Sequence, residues 1–434
     1  MVHGGTSGGI AQKIVRAARR KLCALRDQKQ QLCAAFPDAG QELRHSQIAA
    51  RVLRGEDHKA VRPQQRKVRR LIRRRAAQHA VHPAHGQVHL ELYRSGLLHG
   101  TDVDGHPAAG GHLRRDFRED LDTDGIELID ETFIDDYPFL SEELEYDWKN
   151  TIARYNMKSV TMDIYLDVLQ FRDHVMNYAE ATERLKRDII IASRLGFENV
   201  RCLISIPVPV IEAALPTAEK YNVRIGQEIH APMPLVVKPD TPNRLHFHAP
   251  IDEVDRVIEM IERTGTKHAG FVPDMGLFQH GLTPIMYAQA LRNGAPEEAV
   301  AFLKEKKGTL PNAELQTIMT EQFGAEIVAK MSRLIMTQGS AEPKELLKVC
   351  PYIVSIHGKF YEMVEDPTKP GGYYDPSTDY AEIFKYLQEG GFDGYINSEL
   401  EGQGYCNDLP DAEMLDEREQ VRRQHEMFKA LGAV

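Results

Sequence analysis

The chain has no stretch approaching the roughly 18 to 20 uninterrupted apolar residues that a bilayer crossing needs. Its first residues, Met-Val-His-Gly-Gly-Thr-Ser, lack the apolar run of a secretory signal. Neither membrane residence nor secretion is expected, and the cytoplasm is the expected compartment. Cysteine is scarce: five in 434 residues (Cys23, Cys33, Cys202, Cys350 and Cys406), with no CxxC pair. An odd, scattered set argues against a disulfide framework or a zinc ribbon and leaves reduced thiols. A Gly-rich phosphate loop is also missing, so nothing marks a phosphorylated ligand. What remains is an ordinary hydrophobic share, 42%, in a chain long enough for two domains or one elaborated barrel.

Charge divides the chain. Residues 1–118 hold 23 Lys+Arg against 9 Asp+Glu, leaving 31 against 55 for the remainder, so the two parts carry opposite net charge. The first part is rich in arginine and histidine (Arg69, Arg70, Arg73, Arg74, Arg75; His79, His82, His85, His89) and poor in aromatic residues and strand alternation. Helical readings around 10–25 and 64–77 leave only a thin apolar stripe for packing. Clustered arginines could neutralise phosphates as a nucleic-acid-binding arm. A solvated basic extension is a second reading, and a segment outside the native coding frame is a third. The abrupt change of composition at Asp122-Thr-Asp-Gly-Ile-Glu favours the third, with a basic extension over 1–118 and a folded domain over 119–434.

From Gly125 onward strands alternate with helices, the signature of a parallel sheet wrapped by helices. The strands are expected at 125–129, 158–164, 199–205, 223–229, 269–273, 352–356 and 394–398, and the helices at 173–195, 210–221, 251–264, 377–390 and 413–431. Between the fifth and sixth strands lies a helical region, about 280–348, too long for a simple βα loop. The fold class is an α/β (β/α)8 TIM barrel that lacks a normal first strand. Its insertion falls on the strand-end face, as a lid, a subunit contact or a packing elaboration. Without the first strand, an open wall with two unpaired edges is expected.

In such a barrel the C-terminal strand ends carry the chemistry. The last four strands end in Gln227-Glu228-Ile-His230, Phe271-Val-Pro-Asp274, Ile356-His357-Gly-Lys359 and Asn397-Ser-Glu399-Leu-Glu401. A lone strand-end Asp is more often a turn residue, a lone His a hydrogen-bonded structural group, and a lone Glu merely solvated. Four in four consecutive strands is a different matter. Glu228, Asp274, His357 and Glu399 supply three carboxylates and one imidazole, which suits a divalent cation completed by water or substrate oxygens. Manganese is the first choice, with Mg2+, Co2+ and Fe2+ as alternatives; zinc fits less well because oxygen outnumbers nitrogen and cysteine is missing. The two-residue period of strands places His230 with Glu228, Lys359 with His357 and Glu401 with Glu399. Lys359 can offset the negative charge and, with Glu401, contact substrate. His230 is either a base near neutral pH or a partner orienting Glu228.

The set, over roughly residues 121–434, resembles the xylose-isomerase-like barrel superfamily of sugar isomerases and epimerases, whose metal is held by Glu, Asp, His and Glu from the last four strands. Within it, Gln227-Glu-Ile-His-Ala-Pro232, Ile356-His-Gly-Lys-Phe-Tyr361 and Gly394-Tyr-Ile-Asn-Ser-Glu-Leu-Glu-Gly402 are similar to the α subunit of C-glycoside deglycosidases. That resemblance implies a lyase acting on a 3-oxo glycoside, through proton abstraction and a metal-stabilised enediolate, with a small β-rich partner subunit and an oligomeric assembly. His230 would lead as base, with Glu228 mainly a ligand. The alternative is a sugar isomerase or ketose 3-epimerase in which Glu228 and Glu399 form the acid/base pair. A third reading, an inactive barrel kept as a partner-binding scaffold, gives no reason for an intact ligand set.

Overall fold

The computed structural model describes residues 100–101, 107–108, 121, 123–134, 136–166, 173–202, 206–239, 252–410 and 413–433. Of the basic segment it describes only a two-residue antiparallel pair, Gly100–Thr101 with Pro107–Ala108. The readings of residues 1–118 otherwise lie outside the described residues. No described helix is long and apolar enough to cross a membrane.

Seven parallel strands form the barrel wall: β1 (Gly125–Ile129), β2 (Lys158–Ile164), β3 (Asn199–Cys202), β4 (Arg224–Ile229), β5 (Ala269–Pro273), β6 (Ile356–Phe360) and β7 (Ile396–Leu400). The first five make one sheet in sequence order. Parallel bridges from Phe271 to Ile353 and from Asp274 to His357 carry the wall on to β6. β6 then pairs in parallel with β7.

The two edges expected to be unpaired carry no ladder between them among the described residues, but the gap expected between them is bridged by side chains. β7 returns beside β1: Asn397 Nδ2 donates to Glu127 Oε2, and the Tyr395 ring lies where a side chain on Gly125 would point. No backbone ladder joins β1 to β7 among the described residues, so side chains hold this seam. The sixth strand is also displaced from its expected place. Residues Cys350–Tyr352 form a turn of 3-10 helix, and the strand runs over Ile356–Phe360. Ile353 and Val354 make only an isolated bridge to Phe271 ahead of the strand. β3 ends at Cys202, with 203–205 outside the described residues.

Helices cover the outside where caps and periodicity dictate. The longest, α2 (Tyr178–Leu195), starts at Asn177, whose side chain accepts from the Glu180 N–H while the Glu180 carboxylate accepts from the Asn177 N–H. It ends at Gly196, in the left-handed region. Ahead of it stands α1 (Glu142–Arg154), which sequence periodicity missed because it buries a single side chain, Trp148. That indole donates to Ser159 Oγ and the Leu195 carbonyl and stacks on Phe197, tying α1 to the wall. The remaining outer helices are α3 (Val208–Tyr221), α4 (Glu253–Thr264), α9 (Tyr380–Glu389) and α10 (Glu417–Ala430).

The insertion after β5 comprises α5 (Pro284–Arg292), α6 (Glu297–Lys306), α7 (Asn312–Phe323) and α8 (Ala325–Met336). α7 and α8 are separated by Gly324 alone, where φ is +85°. These helices have their own apolar core, including Met286, Leu303, Leu315, Met319, Met331 and Ile335. Tyr361 and Tyr405 join it from the loops after β6 and β7. The insertion therefore packs against the strand-end loops.

Between β1 and α2 lies a buried acidic pair. Asp130 is 1% exposed and accepts the Glu131 N–H. Asp188 accepts from Tyr137 Oη at 2.6 Å and faces Arg187 and Arg184. Burial, and then the Asp188 charge, push the Asp130 carboxyl up to about 8. A carboxyl raised in this way keeps its proton in the native state after the unfolded chain has lost its own. Its stabilising contribution is present below the unfolded value, 3.8, and is lost as pH rises to about 8. We expect the urea midpoint of the native chain to fall relative to that of Asp130→Asn across this window. Parallel pH profiles for the two proteins would show that Asp130 ionises freely.

Candidate metal centre

Strand register assembles the site. In β6 and β7, His357 lies opposite Asn397 and Lys359 opposite Glu399, while the Asp274–His357 bridge aligns the end of β5. His357 Nδ1 is 3.3 Å from Glu228 Oε1 and 3.5 Å from Glu399 Oε2. One ligand atom each from Glu228, Asp274 and His357 lie within 4.8 Å of one another. The structure thus brings Glu228, Asp274 and His357 together, with Glu399 beside the His357 ring, and all four are buried.

Of the three accompanying residues, Lys359 is the most deeply engaged. Its ammonium is 2.5 Å from Asp274 Oδ2, 3.3 Å from Glu401 Oε1 and 3.7 Å from Glu399 Oε2. Desolvation opposes that charge, but the three carboxylates more than compensate and hold its pKa well above the ordinary lysine value. Burial pushes Glu401 up to about 7 even though Lys359 pulls it down. His230 stands half-buried just past β4, its Nδ1 2.5 Å from the Ala231 carbonyl. Its charge is among the influences lowering Glu228.

Beneath the four residues is a charged layer from the first strands that sequence reasoning missed. Arg201 of β3, fully buried, spans from Asp163 Oδ1 to Glu228 Oε1 at 3.2 Å each. Glu127 of β1 meets His357 Nε2 at 2.8 Å through Oε1 and accepts from Asn397 through Oε2. Each of these residues is a charged group inside a short apolar strand: Gly-Ile-Glu-Leu-Ile for Glu127, Ser-Val-Thr-Met-Asp-Ile for Asp163, Asn-Val-Arg-Cys for Arg201. That is the signal that could have found them, since charges almost never sit in such runs without partners.

Electrostatics divides the roles. Burial alone would raise Glu228, yet Arg201 and His357 hold it far below the usual carboxylate range, so it is ionised. Burial, reinforced by Glu127, pushes Asp163 well above that range despite Arg201. Glu127 is lowered, with the His357 charge and hydrogen bond overcoming desolvation. The imidazole is itself raised well above its ordinary value by Glu127 and Glu399 against desolvation.

A divalent cation fits this donor set. Neither oxygen of the ionised Glu228 carboxylate has a hydrogen-bond partner, and such groups are normally satisfied when buried. Glu228 has only charge contacts, to Arg201 and to His357. The carboxylates Glu228, Asp274 and Glu399 and the His357 imidazole offer the oxygen and nitrogen donor types that a hard or borderline divalent cation takes. Metal-ligating histidines typically bond a carboxylate through the second nitrogen, as Glu127 does here.

Comparison with known proteins gives similarity to named enzymes. No family model matches the chain. It is 26% identical over 312 residues to a C-glycoside deglycosidase alpha subunit of Arthrobacter globiformis, covering 70% of this chain and 82% of the relative. It is 25% identical over 293 residues to the 3'-dehydrocarminate deglycosidase alpha subunit of a Microbacterium species, covering 64% and 78%. Among solved structures, L-ribulose 3-epimerase aligns over 77% of this chain and 92% of its own, with 12% identity and a TM-score of 0.41.

Arg201 provides the test of the buried charge layer. Removing one partner of a buried charge cluster typically costs about 3–5 kcal/mol, because it strands the opposite charge. We expect Arg201→Leu to lower stability by about that much in urea unfolding, and Arg201→Leu/Glu228→Gln to regain part of the loss. Equal stability of Arg201→Leu and the native chain would mean that Arg201 does not neutralise its neighbours. Over about two thirds of its length, this chain is similar to a C-glycoside deglycosidase alpha subunit and a 3'-dehydrocarminate deglycosidase alpha subunit.

Proposed function

We propose that the chain is a divalent-metal-dependent enzyme of the C-glycoside deglycosidase alpha-subunit type, acting on a 3-oxo glycoside and working beside a small partner subunit. The observation that carries this reading is the convergence of Glu228, Asp274, His357 and Glu399 at buried strand ends, in a chain whose curated relatives are deglycosidase alpha subunits. Those four residues would hold the ion, with Mn2+ the first choice for an oxygen-rich set. When bound, the ion supplies polarisation of a sugar carbonyl and stabilises the negative charge left as a neighbouring C–H is broken.

The chain's own residues supply the rest. His230 stands two residues beyond Glu228. With its Nδ1 proton directed at the Ala231 carbonyl, Nε2 is the basic nitrogen, suited to take the proton next to the carbonyl. The electron pair of that C–H bond then forms the double bond while the bond to the aglycone, on the carbon β to the carbonyl, breaks. The aglycone carbon takes up a proton as it leaves. Lys359 and Glu401 orient sugar hydroxyls, and Lys359 balances the carboxylates around it.

A ketose 3-epimerase is the second reading. It is favoured by Glu228 and Glu399 both approaching His357 Nδ1, where each could face a bound sugar. Two measurements separate the possibilities. Elemental analysis should find about one divalent ion per native chain and almost none in Glu228→Ala/Asp274→Ala, since a preformed site requires all its ligands. His230→Ala should retain the metal and lose roughly 10²–10⁴-fold in turnover of a 3-oxo C-glycoside, the range for a lost general base. Full activity of His230→Ala sinks the deglycosidase assignment of that residue; loss of keto-sugar turnover in metal-replete Glu399→Gln instead supports the epimerase.

A further inference from the structure

His357 lies between two carboxylate groups. One, Glu228 with Asp274, is on its Nδ1 side; the other, Glu127 with Asp163, is on its Nε2 side. The two sides differ in geometry. On the Nε2 side the Glu127 oxygen sits at 2.8 Å, a full hydrogen bond, while Asp163 is at 3.9 Å. On the Nδ1 side Glu228 stands at 3.3 Å and Glu399 at 3.5 Å. Glu127 is itself clamped: its other oxygen accepts from Asn397, the residue paired with His357 in the β6–β7 register. Both Glu127 oxygens therefore act as acceptors, as in a carboxylate, and the shared proton resides on Nε2.

We propose that Glu127 is a positioning residue that holds the His357 ring by its Nε2 and turns Nδ1 toward Glu228 and Glu399, with Asn397 locking Glu127 across the β1–β7 seam. The inference rests on the metal reading of the strand-end set. It also assigns the second acidic group: Glu127 and Asp163 orient the ligand rather than form a second metal site.

The test is Mn2+ titration calorimetry on chelator-stripped full-length chain, alongside Glu127→Ala, Glu127→Gln and Asn397→Ala, each checked for fold by circular dichroism and for thermal midpoint without metal. Loss of an outer partner of a ligating histidine typically weakens metal affinity about 10–100-fold. Glu127→Ala should fall in that range. Glu127→Gln, whose amide oxygen still accepts from Nε2, should recover much of the loss at a comparable midpoint, and Asn397→Ala should lie between. Should Glu127→Ala not fold, the Glu127→Gln and Asn397→Ala affinities carry the test in the same direction. Native-like Mn2+ affinity in every folded variant overturns the inference and leaves the metal reading standing. Two ions per native chain also overturn it, because Nε2 would then be a ligand. A native chain that takes up no Mn2+ sinks the metal reading, and this inference with it.

Discussion

Removing an ionised group from water costs several kcal/mol, and the cost is recovered only where an opposite charge and hydrogen bonds await it. The mouth of this barrel gathers Glu127, Asp163, Glu228, Asp274, Glu399 and Glu401 around Arg201, His357 and Lys359. All but Glu127 are almost entirely shielded. The rest of the architecture follows from that constraint. Asp163 and Arg201 must share a level on adjacent strands, as the β2–β3 register provides, and Arg201 must reach the next inward position on β4, where Glu228 stands. Lys359 must face Glu399, and the β6–β7 register provides that as well. A slip of one residue in any of these pairings would turn a charge toward the outer helices and leave its partner buried alone.

The same charges close the wall. Hydrogen bonds of a ladder normally join neighbouring strands, but β1 and β7 meet through Glu127 and Asn397. The histidine that belongs to the candidate site is held by the same glutamate. The seam contact and the bond to His357 thus share one glutamate, so damage to the seam is expected to reach the candidate site before it reaches the outer helices.

How much of this was legible in the sequence depended on where the signal lay. Glu228, Asp274, His357 and Glu399 could be read because each ends or directly follows a strand expected from sequence, and strand period then added His230, Lys359 and Glu401. His357 and Lys359 were placed correctly relative to one another even though their strand was set four residues too early. The reason is that a two-residue period does not depend on where the strand begins. Glu127, Asp163 and Arg201 were passed over because they lie within the first strands, where apolar neighbours dominate the pattern and a single charge looks incidental. Trp148 hid helix α1 in a similar way, since one buried side chain in thirteen residues leaves almost no apolar stripe. The side-chain seam had no signal in local sequence, because it joins residues 270 positions apart.

The insertion bears on what the site can accept. Tyr361 follows Lys359 by two residues and Tyr405 follows Glu401 by four. Their rings meet edge to face at 5.9 Å, and both are packed into the core of the four inserted helices. Arg333 of α8 lies over the Tyr405 ring at 4.6 Å. The loops that carry Lys359 and Glu401 are therefore braced from above by aromatic packing and from below by ion pairs. Glu399 is buried, and its Oε2 lies 3.5 Å from His357 Nδ1 and 3.7 Å from the Lys359 ammonium. His230 has a different setting: it is half-buried on a loop with one nitrogen directed to a carbonyl. A proton acceptor must meet substrate and then give the proton up, and of the two residues His230 is the more exposed. This difference in setting is the physical reason for preferring His230 over Glu399 as the proposed base.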